Sequence, residues 1–232
     1  MPSVRVKDEI SHVLDKRNMY LGDASNVTEK TFTFDIRSMK LEYKEVSYNA
    51  ALLKIFDEIL VNAIDNLSRK SSKPLTTIEL NFKKNVEFKT FEISIKNDGP
   101  SIPIEQYHIH EREADEAEDD YKARMEIEKL QEGKYIPEVV FSTFRSSSNY
   151  DKAEDSTRIT GGTNGIGAKL TAVFSKLFKV RIENSGKLYE QEIRNHCRDV
   201  QPPKITETSN DNSSVQITFV PDWELLDTEK IY

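Results

Sequence analysis

The stretch Leu52–Asn66 constrains this chain more than any other. Leu52, Ile55, Phe56, Ile59 and Ala63 recur at steps of three and four residues, so they line one face of an amphipathic helix. Glu58, Asn62 and Asp65 follow at spacings of four and then three, with Asn66 one residue further on. They form a polar stripe along the border of the apolar face. A half-desolvated glutamate there is a plausible general base, and an amide oxygen one turn away is a plausible Mg²⁺ ligand. An ordinary surface helix would carry the same stripe, so the helix alone does not decide between the two.

The neighbouring segments supply strands. Thr31–Ile36 alternates and reads as a strand, and the central helix is expected from about 49 to 68. Ile78/Leu80/Phe82 and Phe91/Ile93/Ile95 alternate on either side of a short polar connection near Lys84-Asn85, the pattern of an antiparallel hairpin. The second run leads into the turn chemistry of Asn97-Asp-Gly-Pro-Ser-Ile-Pro103. A short helix over 8–15 precedes Gly22, a turn or cap, and Tyr135–Phe144 reads as a helix with Pro137 in its first turn. Leu170, Val173, Phe174 and Leu177 are expected on one face of a further helix. Lys179–Glu183 and Lys187–Ile193 flank Asn184-Ser-Gly186 as strand, turn and strand, and Val215/Ile217/Phe219 forms a last strand. The predicted class is α+β, with helices covering one face of a mainly antiparallel sheet.

Composition narrows the function. The 232 residues carry 33 Lys plus Arg against 40 Asp plus Glu, a net charge of −7, which argues against a chain built mainly to grip nucleic acid or a membrane surface. The one cysteine, Cys197, excludes an internal disulfide and suits a reducing compartment. No apolar run approaches membrane-spanning length. Between Glu111 and Glu132 stand ten acidic and four basic residues, so 108–133 reads as a solvated, helix-prone insertion or lid. His108-x-His110 with Glu111 and Glu113 lacks a second anchored ligand pair and reads as exposed loop, not as a metal site.

The cluster Thr160-Gly-Gly-Thr-Asn-Gly-Ile-Gly-Ala-Lys169 enters a helix and can present backbone N–H groups to an anion. Gly162 and Gly167 have Walker A spacing, but Ala168-Lys169-Leu170 follows where Lys-Ser/Thr is required. A dinucleotide fingerprint fails at Leu170, where a third glycine would stand. Glycines alone would also make a flexible turn. Lys169 at the helix start and Ser147-Ser148-Asn149 upstream add the polar donors that phosphates need.

Phe56–Asn66, Asn97–Pro103, Gly161–Lys169 and Ile217-Thr-Phe219, in that order, resemble the motifs of the Bergerat-fold (GHKL) ATPases. Tyr135-Ile-Pro-Glu138, Ser147-Ser-Asn-Tyr-Asp151 and Thr218-Phe-Val-Pro-Asp222 narrow the resemblance to the N-terminal ATPase domain of type IIA DNA topoisomerases of the eukaryotic and large-DNA-virus branch. The likeness covers nearly the whole of 1–232, with a strap over about 1–30 that exchanges between protomers in this family and contacts the site through Lys16–Tyr20.

The resemblance implies ATP and Mg²⁺. Glu58 would polarise the attacking water, and Asn62 would hold the Mg²⁺ bridging the phosphates. Asp98 would accept the adenine amino proton with Thr218 in support. Asn66, Ser147, Ser148 and Asn149 would touch ribose and phosphates, with Ile102 in the same pocket. Thr163, Asn164, Gly165, Ile166, Gly167, Ala168 and Lys169 would wrap the triphosphate.

It further implies a second copy as ATP-dependent partner, duplex DNA reached through a full-length enzyme, no membrane, and a nuclear or viral setting. The family's transducer, with its γ-phosphate Lys, and its DNA-cleavage domains would lie outside this chain, leaving a fragment that turns over poorly. Ser101 stands where the family usually has Gly, Thr163 where it often has Arg, and Asp98 where many eukaryotic members have Asn. A nucleotide-sensing interaction module with little turnover is the alternative, against which the intact Glu58 counts.

Overall fold

The structure, a computed structural model, describes residues 7–22, 26–69, 71–112, 116–144 and 165–226. Two short helices, α1 (Glu9–Asp15) and α2 (Arg17–Leu21), come first, α1 capped by the Asp8 carboxylate accepting from Ser11 N–H. Gly22 closes α2 with φ 76°, a conformation that favours glycine. Strands β1 (Asn26–Asp35) and β2 (Lys40–Asn49) pair in register as a separate two-stranded sheet. Then comes α3 (Ala50–Asp65), continued by a 3₁₀ turn over Asn66–Ser68.

The main sheet holds β3 (Ile78–Asn85), β4 (Thr90–Asn97), β5 (Ser175–Asn184), β6 (Lys187–Arg194), β7 (Asp199–Val200), β8 (Lys204–Glu207) and β9 (Ser214–Pro221). Its order is β3-β4-β9-β5-β6-β7, with β8 also on β6, and every pairing is antiparallel. Between β4 and β5 lie α4 (Glu118–Lys129), α5 (Ile136–Ser142) and α6 (Gly167–Val173).

The strand registers build the core. Ile93, Phe219, Phe178 and Ile193 form one row across β4, β9, β5 and β6; Ile95, Ile217, Val180 and Gln191 form the next; Asn97, Val215, Ile182 and Tyr189 form the third. Because side chains alternate between faces, these rows all point at the helices. Their apolar members pack with Ile55, Ile59 and Ala63 of α3 and with Leu170, Val173 and Phe174 at α6. Gln191 is tolerated inside because Tyr189 OH donates to its Oε1 at 2.7 Å and its Nε2 donates to Gln201 O at 2.9 Å. The opposite face carries the cross-strand ion pairs Lys179–Glu192 and Arg181–Glu190. The expected α+β sheet covered on one face is what forms.

Several local expectations change. Leu177 is buried on β5, opposite Val220, and not on the helix, which ends at Val173. The Phe174 carbonyl is taken by Asp222 N–H at 2.9 Å, so pairing with β9 overrides the helical period. The β3–β4 strands run through Asn85 and turn over 86–89, with Lys89 at φ 52°. Strand β2 continues the hairpin from Thr31–Ile36, and one face of that hairpin leaves Phe32, Phe34, Leu41 and Tyr43 exposed.

Within the acidic segment Glu118–Lys129 forms α4, which buries no residue. Arg124 bridges Glu116 at 2.8 Å and Glu128 at 3.0 Å, while Tyr107 N–H to Lys134 O (2.6 Å) and Gly133 N–H to Tyr107 O (3.2 Å) close its base. His110 meets Tyr107 and Glu128. Glu113 lies outside the described residues, among which no group of three His, Cys, Asp or Glu side chains could hold a metal ion.

Asn49 ties the central helix to both ends of the fold. Its Oδ1 accepts from Leu52 N–H at 2.8 Å as the α3 N-cap, and its Nδ2 donates to Leu226 O at 3.0 Å. Asn49→Ala should therefore cost about 2 kcal/mol, a lost cap plus a buried carbonyl left short of a donor, read as a lowered urea midpoint at constant m-value. A midpoint equal to wild type would show that the cap carries no weight.

Candidate functional site

Where the inward rows of the sheet run past α3, they leave a cleft of about 510 Å³. Its size is that of a pocket for one small organic ligand. Its walls come from α3, the end of β4, the 100–103 turn, α5 and the start of α6.

The polar stripe of α3 faces this cleft as expected, with Glu58, Asn62, Asp65 and Asn66 all lining it. Glu58 is paired with Lys54, one turn earlier and also in the wall. The Glu58 carboxylate lies directly against Gly167. A Cβ added to Gly167 would stand 2.8 Å from the Glu58 carboxyl carbon and overlap its oxygen, so glycine here leaves the carboxylate the space it occupies, without any unusual φ.

Gly165, Ile166, Gly167, Ala168 and Lys169 complete the opposite wall. Lys169 is almost wholly buried, and its ammonium donates to Gly165 O. Burial pushes its pKa down to about 8, which the adjacent Cys197 opposes. Cys197 reaches that position through a left-handed turn, with φ 49° at Asn195, 57° at His196 and 65° at Cys197. The same burial pushes the Cys197 thiol up to about 11.

The floor is an amide pair. Asn66 Nδ2 donates to Asn97 Oδ1 at 2.9 Å, and Asn97 Nδ2 approaches Val215 O at 3.4 Å. Ile102 lines the cleft beside them, with Ile95, Val215 and Ile217 below. Gly99 lets the chain pass close to the segment before β3, since a Cβ there would meet Leu75 Cβ at 3.0 Å.

Ser101 sits in the turn without positive φ. Its hydroxyl donates to Glu183 O at 2.7 Å and accepts from Asn184 Nδ2 at 2.8 Å, and its N–H donates to Ser213 Oγ at 3.0 Å. The side chain that replaces glycine therefore fastens this turn to β5 and to the segment before β9.

Two expected contacts lie elsewhere. Asp98 is absent from the cleft wall; its carboxylate accepts from Thr76 N–H (2.9 Å), Thr77 N–H (2.8 Å) and the Thr76 hydroxyl (2.5 Å). Partial burial raises its pKa, but these bonds outweigh it and hold the carboxyl at about 2. Thr218 pairs with Ser94 in the register, and its hydroxyl lies 3.1 Å from Ser94 Oγ on the outer face. With Ile217 pointing inward, the pleat sends Thr218 outward.

Asn97, Lys54 and Val215, which sequence reasoning did not single out, line the cleft instead. The signal for two of them was present: two residues past Ile95 is Asn97, and two before Ile217 is Val215. Ser147, Ser148, Asn149, Thr163 and Asn164 lie outside the described residues. Met19 and Tyr20, in the expected strap, reach the rim.

Comparison with known proteins places the chain in a family. No family model matches the chain. It is 34% identical to DNA topoisomerase 2 of Candida albicans over 223 residues, 95% of this chain and 13% of that protein. It is 36% identical to DNA topoisomerase 2 top-2 of Caenorhabditis elegans over 223 residues, 93% of this chain and 12% of that protein. The chain thus spans about one eighth of the curated relatives it matches.

The solved ATPase region of Saccharomyces cerevisiae topoisomerase II superposes with TM-score 0.79 at 31% identity, covering 99% of this chain and 53% of that one. The ATPase and transducer domains of Balamuthia mandrillaris DNA topoisomerase II give 0.77 at 35%, covering 97% and 51%. The 43K ATPase domain of Thermus thermophilus gyrase B shares the fold, with TM-score 0.57 at 16% identity. With sequence and fold agreeing, the chain belongs to the type II DNA topoisomerase family, where it matches the GHKL ATPase region.

Proposed function

We propose that the cleft binds ATP with Mg²⁺ and hydrolyses the γ-phosphate, in the service of a DNA topoisomerase. The observation that carries this reading is the meeting of Glu58, Gly167 and buried Lys169 in one cleft, opposite the Asn66–Asn97 amide pair. Phosphoryl transfer to water needs a positioned base and neutralised oxygens more than covalent chemistry. Glu58 is the group placed to take the water's proton. Lys169 and the backbone N–H groups of 165–168 would hold the phosphates, and the Asn62 amide oxygen, one turn beyond Glu58, would be a ligand for phosphate-bound Mg²⁺. When bound, that cation supplies charge neutralisation of the phosphate oxygens.

The adenine contact expected of Asp98 falls to Asn97. Its Oδ1 keeps a second lone pair beside the one used by Asn66 and can accept the amino proton of adenine, where guanine offers a carbonyl. Ser147, Ser148, Asn149, Thr163 and Asn164 remain proposed ribose and phosphate contacts on the family resemblance alone. A second copy as ATP-dependent partner, duplex DNA engaged by the full-length enzyme, and a nuclear setting follow from the same kinship.

Isothermal titration of a non-hydrolysable ATP analogue with Mg²⁺ into the full-length protein tests the reading. Asn97→Ala should weaken binding by about tenfold or more, while Asp98→Asn should stay within about threefold of wild type. Equal losses would return the adenine contact to Asp98, and no binding by wild type would remove the ATPase reading.

The pH dependence has a definite sign. Lys169 is protonated below its pKa of about 8, and a bound phosphate favours that form. Affinity should be level below pH 8 and fall by up to about tenfold per pH unit above it, with proton uptake on binding visible in buffers of different ionisation enthalpy. A flat profile from pH 7 to about 10 would show that Lys169 does not touch the anion.

Gly167→Ala should separate chemistry from binding. Alanine favours the helix by about 1 kcal/mol, so stability should not fall, but its methyl displaces the Glu58 carboxylate. ATP turnover should drop about a hundredfold with analogue affinity nearly unchanged. Wild-type turnover would show that Glu58 acts from some other position.

A further inference from the structure

The two halves of the proposed site stand on different helices, Glu58 and Asn62 on α3, Gly167 and Lys169 on α6. Their spacing depends on how α6 sits along α3. Most of that contact is apolar, made by Ile55, Ile59, Leu170 and Val173, and apolar surfaces alone tolerate small slides. One polar group interrupts it. Thr171 is fully buried, and its hydroxyl donates to Ile55 O at 2.8 Å, three residues before Glu58.

The geometry shows which acceptor the hydroxyl serves. A threonine inside a helix commonly bonds the carbonyl four residues back. Here that carbonyl, Gly167 O, is 3.4 Å away, while Ile55 O on the other helix is 2.8 Å away. A hydroxyl has one proton, and the shorter bond takes it. A slide of α6 by one residue, about 1.5 Å, would break this bond and strand a buried hydroxyl. Ser175 hydroxyl, donating to Thr171 O at 2.6 Å, anchors the same turn from the other side.

We infer that Thr171 is a positioning residue, whose hydroxyl fixes the register of the glycine-loop helix against the helix bearing the general base. It does not line the cleft; it acts through Glu58 and Gly167, which lie in close contact. The inference rests on the ATPase reading above.

The test is steady-state ATP turnover by the full-length protein and its Thr171 variants, alongside binding of the non-hydrolysable analogue. Thr171→Val keeps the shape and loses the hydroxyl. Its kcat should fall about ten- to a hundredfold while KM for ATP stays within about threefold, because misplacement by an ångström costs chemistry more than affinity. Thr171→Ser should recover most of the rate.

Thr171→Ser and Thr171→Ala form a second pair differing only in the hydroxyl, which decides the matter if the valine variant does not fold. Wild-type kcat in Thr171→Val, or equal rates in the serine and alanine variants, would overturn the inference. If wild type binds the analogue and turns over ATP, such a result leaves the ATPase reading standing. If wild type does neither, that reading falls, and the role of Thr171 falls with it.

Discussion

Everything in the cleft depends on the register between β4 and β9. Ile95 opposite Ile217 sets which side chains of both strands meet α3, and a slip of one residue would exchange the buried rows for Ser94, Lys96, Gln216 and Thr218. The apolar rows hold that register, because turning Ile93, Ile95, Ile217 and Phe219 out to water would cost about 2 kcal/mol apiece. The cleft is the place where the same rows continue beyond the helix that covers them. Asn97 is polar there because its inward position in the pleat falls at the end of α3, where it meets the Asn66 side chain and lines the cleft.

The departures of this chain from its family become intelligible on that frame. Ser101 could have strained a turn that usually takes glycine. Instead its hydroxyl and N–H enter a network with Glu183, Asn184 and Ser213, and the Ser213 hydroxyl in turn donates to Gly99 O at 2.8 Å. The turn that carries Ile102 into the cleft is thereby held by side-chain hydrogen bonds to β5. Asp98, with three donors on its carboxylate, performs the corresponding task on the other side by holding 76–77. One acid is used as a structural clasp, and the amide beside it lines the cleft.

Much of this was legible in the sequence, and the failures have physical causes. The helix at 50–65, the 78–97 hairpin, the 184–186 turn and the last strand all follow from periodicity, since each buries one face against one core. Leu177 was misplaced because a short apolar run fits a helix or a strand equally well, and only the partner strand at Val220 decides. Strand β2 was missed because its partner is β1 alone, so its apolar residues face solvent and charged residues fill the rest.

Asp98 and Thr218 were chosen by motif position, which carries no record of the face on which a side chain stands. The pleat does carry it: extending the inward series of β4 and β9 by two residues selects Asn97 and Val215. The depth of Lys169 and the bond from Thr171 to Ile55 have no local signature, because both arise from elements more than a hundred residues apart.

Lys169 shows why such a site is worth its cost to the fold. Folding lowers its pKa from 10.5 to about 8, so below pH 8 the protonated side chain destabilises the folded state by roughly 3 kcal/mol, a cost that fades as pH rises through 8 towards 10.5. Packing gives no reason to retain a cation in that position, since a leucine or methionine would fill the same space without the charge. The ammonium donates to a carbonyl, Gly165 O, in the loop that faces the cleft. An anion entering beside that loop would give the ammonium a charged acceptor in a poorly hydrated setting, and so offset part of the free energy lost on burying it.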